Sequence, residues 1–346
     1  MILTGTGIIR GVGPQTIPKI VVVGDDGNII YSDDAVTWQG ATTPHGSDVS
    51  YLYNGVVYSP QRRQFVAAIL NANNSTYAVH TSNNGKTWIE QVIPTNTTSW
   101  NNIAWSPTLR LYAACAGDGI QNNFMTSPDG VNWTDRSQNA TVPFYGYIGY
   151  LDIIWSVSSS AFIAIGTDGS ASQNSAYSTD GITWTINTAS AIKANAIAEG
   201  DSSLGAGKHV KIYRKTSTQN QAASASDVTS TWTSRTASMG GAVYDWSGVA
   251  WSPSLALYCG VASSGLLNYG CERVILSTDG INWTGYSTGL TNINIADIVW
   301  SASLGKFIAV GDGVSGTVAM MQSSNGTSWS TITAPSGNWS SIVATS

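Results

Sequence analysis

The sequence predicts an all-β fold: a seven-bladed β-propeller of four-stranded antiparallel blades, closed by the C-terminal strand completing the first blade. Three observations carry this. A short turn motif ending in tryptophan returns seven times along the 346 residues. Each period has the length and turn chemistry for four short strands. The two ends of the chain hold complementary parts of one period.

The motif reads Ser-x-Asp/Asn-Gly-x-x-Trp. Intact copies are Ser82–Trp88, Ser127–Trp133, Ser178–Trp184, Ser277–Trp283 and Ser323–Trp329. Two are degraded: Ser32–Trp38 has Ala35 for the glycine, and Ser226–Trp232 keeps only its ends. The closing tryptophans step by 50, 45, 51, 48, 51 and 46 residues. The pairs Asp129-Gly130, Asp180-Gly181 and Asp279-Gly280 are two-residue hairpin signals, which predict positive φ at both central positions.

A second element is an apolar strand ending in an aromatic residue and serine, as in Ile103-Ala104-Trp105-Ser106-Pro107 and Val249-Ala250-Trp251-Ser252-Pro253. Proline stops the strand because it cannot donate to a ladder. A third element follows about five residues later, for example Phe162-Ile163-Ala164-Ile165-Gly166. No stretch sustains helical periodicity.

The last residues, Trp339-Ser340-Ser341-Ile342-Val343-Ala344, match the first-strand element elsewhere, whereas the first repeat begins at Lys19 with a second-strand sequence. The C-terminus is therefore expected to supply the innermost strand of the first blade, which removes free sheet edges. The domain reading is an N-terminal arm over 1–18 and the propeller over 19–346.

Composition narrows function. Only 10% of residues are charged, net charge is −5, and Trp (14) and Tyr (15) far outnumber Phe (5). That balance excludes a broad phosphate-binding face, so no nucleic-acid partner is expected. No apolar run approaches membrane-spanning length, so no membrane insertion is expected, and the start of the chain lacks a signal-peptide pattern. The expected site of synthesis is a host cytoplasm. Cys115, Cys259 and Cys271 read as small buried strand residues, with a Cys259–Cys271 pairing across two strands left open.

The Ser-x-Asp-Gly-x-x-Trp turns resemble the Asp-box repeats of sialidase-like propellers, one residue shorter than the usual form. The resemblance covers nearly the whole chain. It implies the propeller fold and a structural role for the turn. Combined with the Trp-Ser-Pro strands, the array is similar to repeats in bacteriophage tail and capsid-associated proteins. This implies a non-enzymatic virion protein (tail fibre, baseplate or capsid-associated) whose partners are other virion proteins or a host cell-surface glycan. The alternatives are a sialidase-like glycan hydrolase or lyase and a free lectin. A sialidase needs an arginine triad, and the eight arginines here (10, 62, 63, 110, 136, 214, 235 and 273) offer no such element.

Candidate site residues follow from position. Asp129, Asp180 and Asp279 belong to separate blades and are expected to cap their own turns. On the opposite face, Asp25, Asp118, Asp168 and Asp312 lie in Gly/Asp loops and are candidate ligand carboxylates, although Gly-Asp pairs also make tight loops in any protein. Tyr51, Tyr53, Tyr145, Tyr147 and Tyr150 lie in inter-blade connections at positions that do not repeat, which suits sugar stacking. In the irregular fifth blade, Lys208, Lys211, Arg214 and Lys215 form a candidate docking patch for an acidic partner. His45, His80 and His209 have no neighbour at metal-ligand spacing, so no metal and no cofactor are expected.

Overall fold

The computed structural model is a ring of seven antiparallel blades with almost no helix. It describes residues 16–46, 48, 50–70, 77–93, 100–117, 124–136, 148–168, 175–187, 192, 194–213, 222–238, 245–263, 272–290, 294–312 and 319–345.

Blade 1 is ordered Trp339–Ala344, Ile20–Gly24, Ile29–Ser32, Gln39–Gly40 from the centre outward. The chain ends interlock there: Ile20 pairs Ala344, Val21 pairs Val343, and Thr345 donates to Lys19 O at 2.8 Å and to Pro18 O at 2.8 Å. Of the expected arm, residues 1–15 lie outside the described residues, while buried Pro18 is tied to the body by that last bond.

The inner strands of blades 2 to 7 are Leu52–Ser59, Trp100–Ser106, Ile148–Ser156, Ala196–Glu199, Asp245–Ser252 and Ile295–Ser301. Each inner strand packs on the next around the ring. Blade 6 gains a fifth strand beyond the expected four, because Ala237–Ser238 runs parallel to Trp283–Ser287. Blade 5 carries a 3₁₀ turn, Ser202–Gly207, between its first two strands.

The second strands are apolar on both faces, and alternation explains why. In blade 2, Phe65, Ala67 and Ile69 face blade 1 while Val66 and Ala68 face blade 3. Among the described residues, seven apolar clusters lie one at each blade contact, so every blade is a shared wall. Trp100, Trp246 and Trp339 wedge into three of these contacts, at most 2% exposed. Cys115 and Cys259 are buried free thiols, and Cys271 lies outside the described residues.

The tryptophan turn differs from a two-residue hairpin. In blade 3 the strands are joined by residues 128–133, and only Gly130 has positive φ, at 76°. The reason is side-chain bonding. Ser127 Oγ accepts from Gly130 N at 2.8 Å, Asp129 Oδ1 accepts from Val131 N at 2.9 Å and Asn132 N at 2.7 Å, and Trp133 Nε1 donates to Gly130 O at 3.0 Å. The turn around Asp279-Gly280 repeats the whole pattern, and that around Asp180-Gly181 repeats its serine and aspartate bonds. The degraded first copy keeps the serine and aspartate bonds, with Ala35 forced to φ 59°, but Trp38 Nε1 has no hydrogen-bond partner.

Candidate functional site

The inner strands enclose a central cavity of about 630 Å³. Near its start, each inner strand except that of blade 5 has a β-bulge, at Asn54, Asn101, Leu151, Ser247, Ala296 and Ser340. A bulge re-aims side chains, and here it directs polar groups toward the next blade. Asn102 Nδ2 donates to Asp152 Oδ1 at 2.6 Å, and Asp152 Oδ2 accepts from Ile197 N at 2.8 Å. Asp297 Oδ2 accepts from Ser341 Oγ at 2.9 Å and Ile342 N at 3.1 Å. Asn101, Asn195 and Ser247 donate to Tyr150 O, Trp246 O and Ile295 O at 2.7, 2.7 and 2.6 Å. The channel wall is thus a belt of inter-blade hydrogen bonds.

Two of its carboxylates are costly. Burial raises the Asp152 pKa, against its amide partners. Burial, reinforced by the charge of Asp152, pushes Asp297 up to about 6. The belt was missed by sequence reasoning, although a signal existed: the positions one and two after each inner-strand aromatic are polar or small in nearly every repeat.

Asp25 and Asp312 line the same cavity. Asn338 Nδ2 donates to Asp25 at 3.3 Å and Asn294 Nδ2 to Asp312 at 3.4 Å. Burial raises the Asp25 pKa, and the charges of Asp26 and Asp312 add to the rise. Asp168 ends the strand Ala161–Asp168 opposite Ile148 in register. Asp118, Tyr145, Tyr147, Arg214 and Lys215 lie outside the described residues.

The structure removes several candidates from the ligand face. Tyr53 and Tyr150 are 1% and 0% exposed, packed into blade contacts, because the inner strands begin before the positions assigned to connections. Tyr51 is half-buried and stacks on His45 at 3.9 Å. Lys211 is fully buried and offers nothing to a docking partner. Its Nζ lies 4.6 Å from the Trp232 ring centre and donates to Ile192 O at 2.8 Å, and burial lowers its pKa to about 7. The strand alternates, so Lys211 points into the contact between blades 4 and 5; Lys208 remains half-buried at its start.

Two clusters unite residues far apart in sequence. Ser156, Glu199 and His209 meet between blades 4 and 5: Ser156 Oγ lies 3.0 Å from His209 Nε2 and donates to Glu199 Oε1 at 3.0 Å. The residue types suggest a nucleophile–base–acid triad, but the arrangement does not. Serine and glutamate share one ring nitrogen, no carboxylate holds Nδ1, and Ser156 and His209 are 0% exposed. Burial lowers the His209 pKa to about 4. Ser156 Oγ accepts from Ser159 N at 3.1 Å, as Ser106 does from Leu109 N at 3.0 Å, so this serine is a repeat turn cap.

The second cluster is His45, His80 and Glu90, the one group among the described residues with the makings of a metal site. The expectation of no metal rested on spacing along the chain, and this grouping is made by folding. His80 opposes Glu90 across the hairpin, five residues either side of Gly85, so that two of the three residues were countable from the turn.

No family model matches the chain, and no curated protein matches it. Solved structures do. A protein from Lactobacillus plantarum aligns with TM-score 0.66 and 10% identity over 94% of this chain and 99% of that one. A streptogramin B lyase aligns with TM-score 0.57 and 11% identity over 86% and 91%. YCF48 bound to a D1 peptide aligns with TM-score 0.51 and 13% identity over 84% and 85%. At these identities the likeness is one of fold.

Proposed function

We propose that this chain is a non-enzymatic propeller of a bacteriophage virion, in a tail fibre, baseplate or capsid-associated position, that uses its channel-mouth face to hold a partner protein or a host glycan. The observation that carries the non-catalytic part is the use of the deep carboxylates. Asp152 and Asp297 each direct both oxygens at backbone amides, so they hold blades together rather than stand ready to move protons. The buried Ser156–His209–Glu199 cluster is likewise structural.

The virion part rests on the resemblance of the Trp-Ser-Pro strands and Asp-box-like turns to phage repeat arrays. A closed ring held by seven apolar contacts suits a particle component, since the edge strands it leaves, such as Gln39–Gly40 and Thr134–Asp135, are short. Asp25 and Asp312, with Asn294 and Asn338 beside them, offer acceptors and donors of the kind that sugar hydroxyls or peptide groups pair with.

The second reading, a sialidase-like hydrolase or lyase, draws on one observation: Asp297, at about 6, has the pKa of a general acid. Its three hydrogen bonds to blades 7 and 1 speak against that role.

Two measurements test the proposal. Mass spectrometry of purified phage particles should find the chain as a stoichiometric component, and its absence would refute the virion assignment. A glycan array followed by product analysis should show binding without turnover, or no glycan binding with retention in particles. Release of cleaved sugar by the pure protein would refute the non-enzymatic part.

A further inference from the structure

His45, His80 and Glu90 reach one point from three stretches of chain. His80 lies in the third strand of blade 2, Tyr77–Ser82, opposite Glu90 in the outer strand Ile89–Val92. His45 arrives on the connection from blade 1. One donor atom from each lies within 4.8 Å of the others, and His45 Nε2 touches Glu90 Oε2 directly.

Two features set the group apart from an ordinary polar contact. His80 is 0% exposed, its Nδ1 is taken by the Tyr53 hydroxyl at 2.6 Å, and its Nε2 has no hydrogen-bond partner. Buried polar atoms are nearly always paired, so an orphaned imidazole nitrogen beside a carboxylate and a second imidazole implies an absent partner. Both rings are also held in place. Tyr53 orients His80 as an outer partner orients a ligating imidazole, and Tyr51 stacks on His45 with an interplanar angle of 8°.

We propose that His45, His80 and Glu90 bind one divalent first-row transition metal ion, with Zn²⁺ the best match, leaving a fourth coordination position toward solvent. Two imidazoles and one carboxylate form a nitrogen-rich donor set that suits zinc and its neighbours, whereas calcium and magnesium prefer oxygen alone. Tetrahedral bonds of about 2.0–2.2 Å place donors about 3.3 Å apart. Rotation of His45 and Glu90, whose side chains are 28% and 20% exposed, brings the group to that spacing and opens their mutual contact for the ion. In the bound form His80 carries its proton on Nδ1, donates it to Tyr53 Oη, and ligates through Nε2. The ion pins the connection between blades 1 and 2 onto blade 2. Its open position takes water, or an oxygen or nitrogen donor from a bound partner.

The test uses the full chain, stripped with EDTA, dialysed and titrated with ZnCl₂ by calorimetry, with Co²⁺ as a spectroscopic probe. The expected result is one Zn²⁺ per chain, visible bands of tetrahedral Co²⁺, and a raised melting temperature. His45→Ala and Glu90→Gln, both at partly exposed positions, should each weaken binding at least tenfold and abolish the Co²⁺ bands. Tyr53→Phe should weaken it about tenfold at unchanged stoichiometry. No stoichiometric binding by the unmodified chain would overturn the proposal, as would binding that His45→Ala and Glu90→Gln leave unchanged.

Discussion

Replacing Asp129 by asparagine isolates what charge adds to a turn that the chain already builds both ways. Asp129 Oδ1 accepts from Val131 N at 2.9 Å and Asn132 N at 2.7 Å, and Oδ2 accepts from Asn132 Nδ2 at 2.7 Å. At the equivalent turns, Asn84 and Asn325 accept the same two amides through a neutral oxygen at 2.9 Å. Burial by itself would raise the Asp129 carboxyl. The Asn132 and Val131 amides, the Asn132 side chain and the Ser127 hydroxyl outweigh it and bring the pKa from 3.8 to about 2. A shift of that size is about 2.4 kcal/mol at full strength. Solvent screening at this half-exposed turn cuts it to about 1 kcal/mol.

Because the folded pKa is depressed, that stability is present above the unfolded value near 3.8 and is lost as pH falls through about 2. Asp129→Asn is therefore expected to cost about 1 kcal/mol at neutral pH and close to nothing at about pH 2. Asp129→Ala, which deletes the acceptor and leaves two amides without it, should cost about 2 kcal/mol at neutral pH and about 1 kcal/mol at about pH 2, since the wild type has by then lost its charge contribution. Urea denaturation followed by tryptophan fluorescence reads all three proteins. Equal losses for the Asn and Ala variants, or an Asn cost that ignores pH, would refute the reasoning.

Gly181→Val should lose about 3 kcal/mol of stability in the same assay, since φ is +70° and a Cβ there would sit 2.5 Å from Leu111 Cδ2; a wild-type denaturation midpoint would count against it. Asp297 has a raised folded pKa, so its favourable contribution is complete below 3.8 and is lost as pH rises through about 6. Asp297→Asn should accordingly flatten the stability–pH curve between those values, and an unchanged slope would remove that carboxyl as its source. Lys211, depressed to about 7, favours folding above its unfolded value near 10.5 and progressively less as pH falls through 7. Lys211→Met should abolish a rise in stability between pH 6 and 9 read by thermal melts, and would be contradicted by a rise that persists. Ser156 should remain unlabelled by a fluorophosphonate probe, whereas stoichiometric labelling would revive a catalytic triad.

The repeat was legible because turns are local. Asp129 bonds Val131 and Asn132, two and three residues away, so the motif carries its own geometry wherever it occurs. The turn's length was misjudged because the Asp-Gly pair looks the same in a two-residue hairpin and in a six-residue loop capped by serine and aspartate. Lys211 and Tyr53 were misplaced for a different reason. Whether a side chain faces a neighbouring blade or solvent depends on strand start and twist, which one-residue errors invert.

The number of blades, the antiparallel order within each and the closure of the ring by Trp339–Ala344 were determined by sequence alone. All three follow from short-range turn chemistry repeated seven times and from which part of a period each terminus holds. The functional groupings were decided only by the ring. Asp152 meets Ile197, Asp297 meets Ser341, and His45 meets His80 and Glu90 across separations of 35 to 45 residues. Such contacts are set by how the blades and the connections between them pack, and no local pattern encodes that packing.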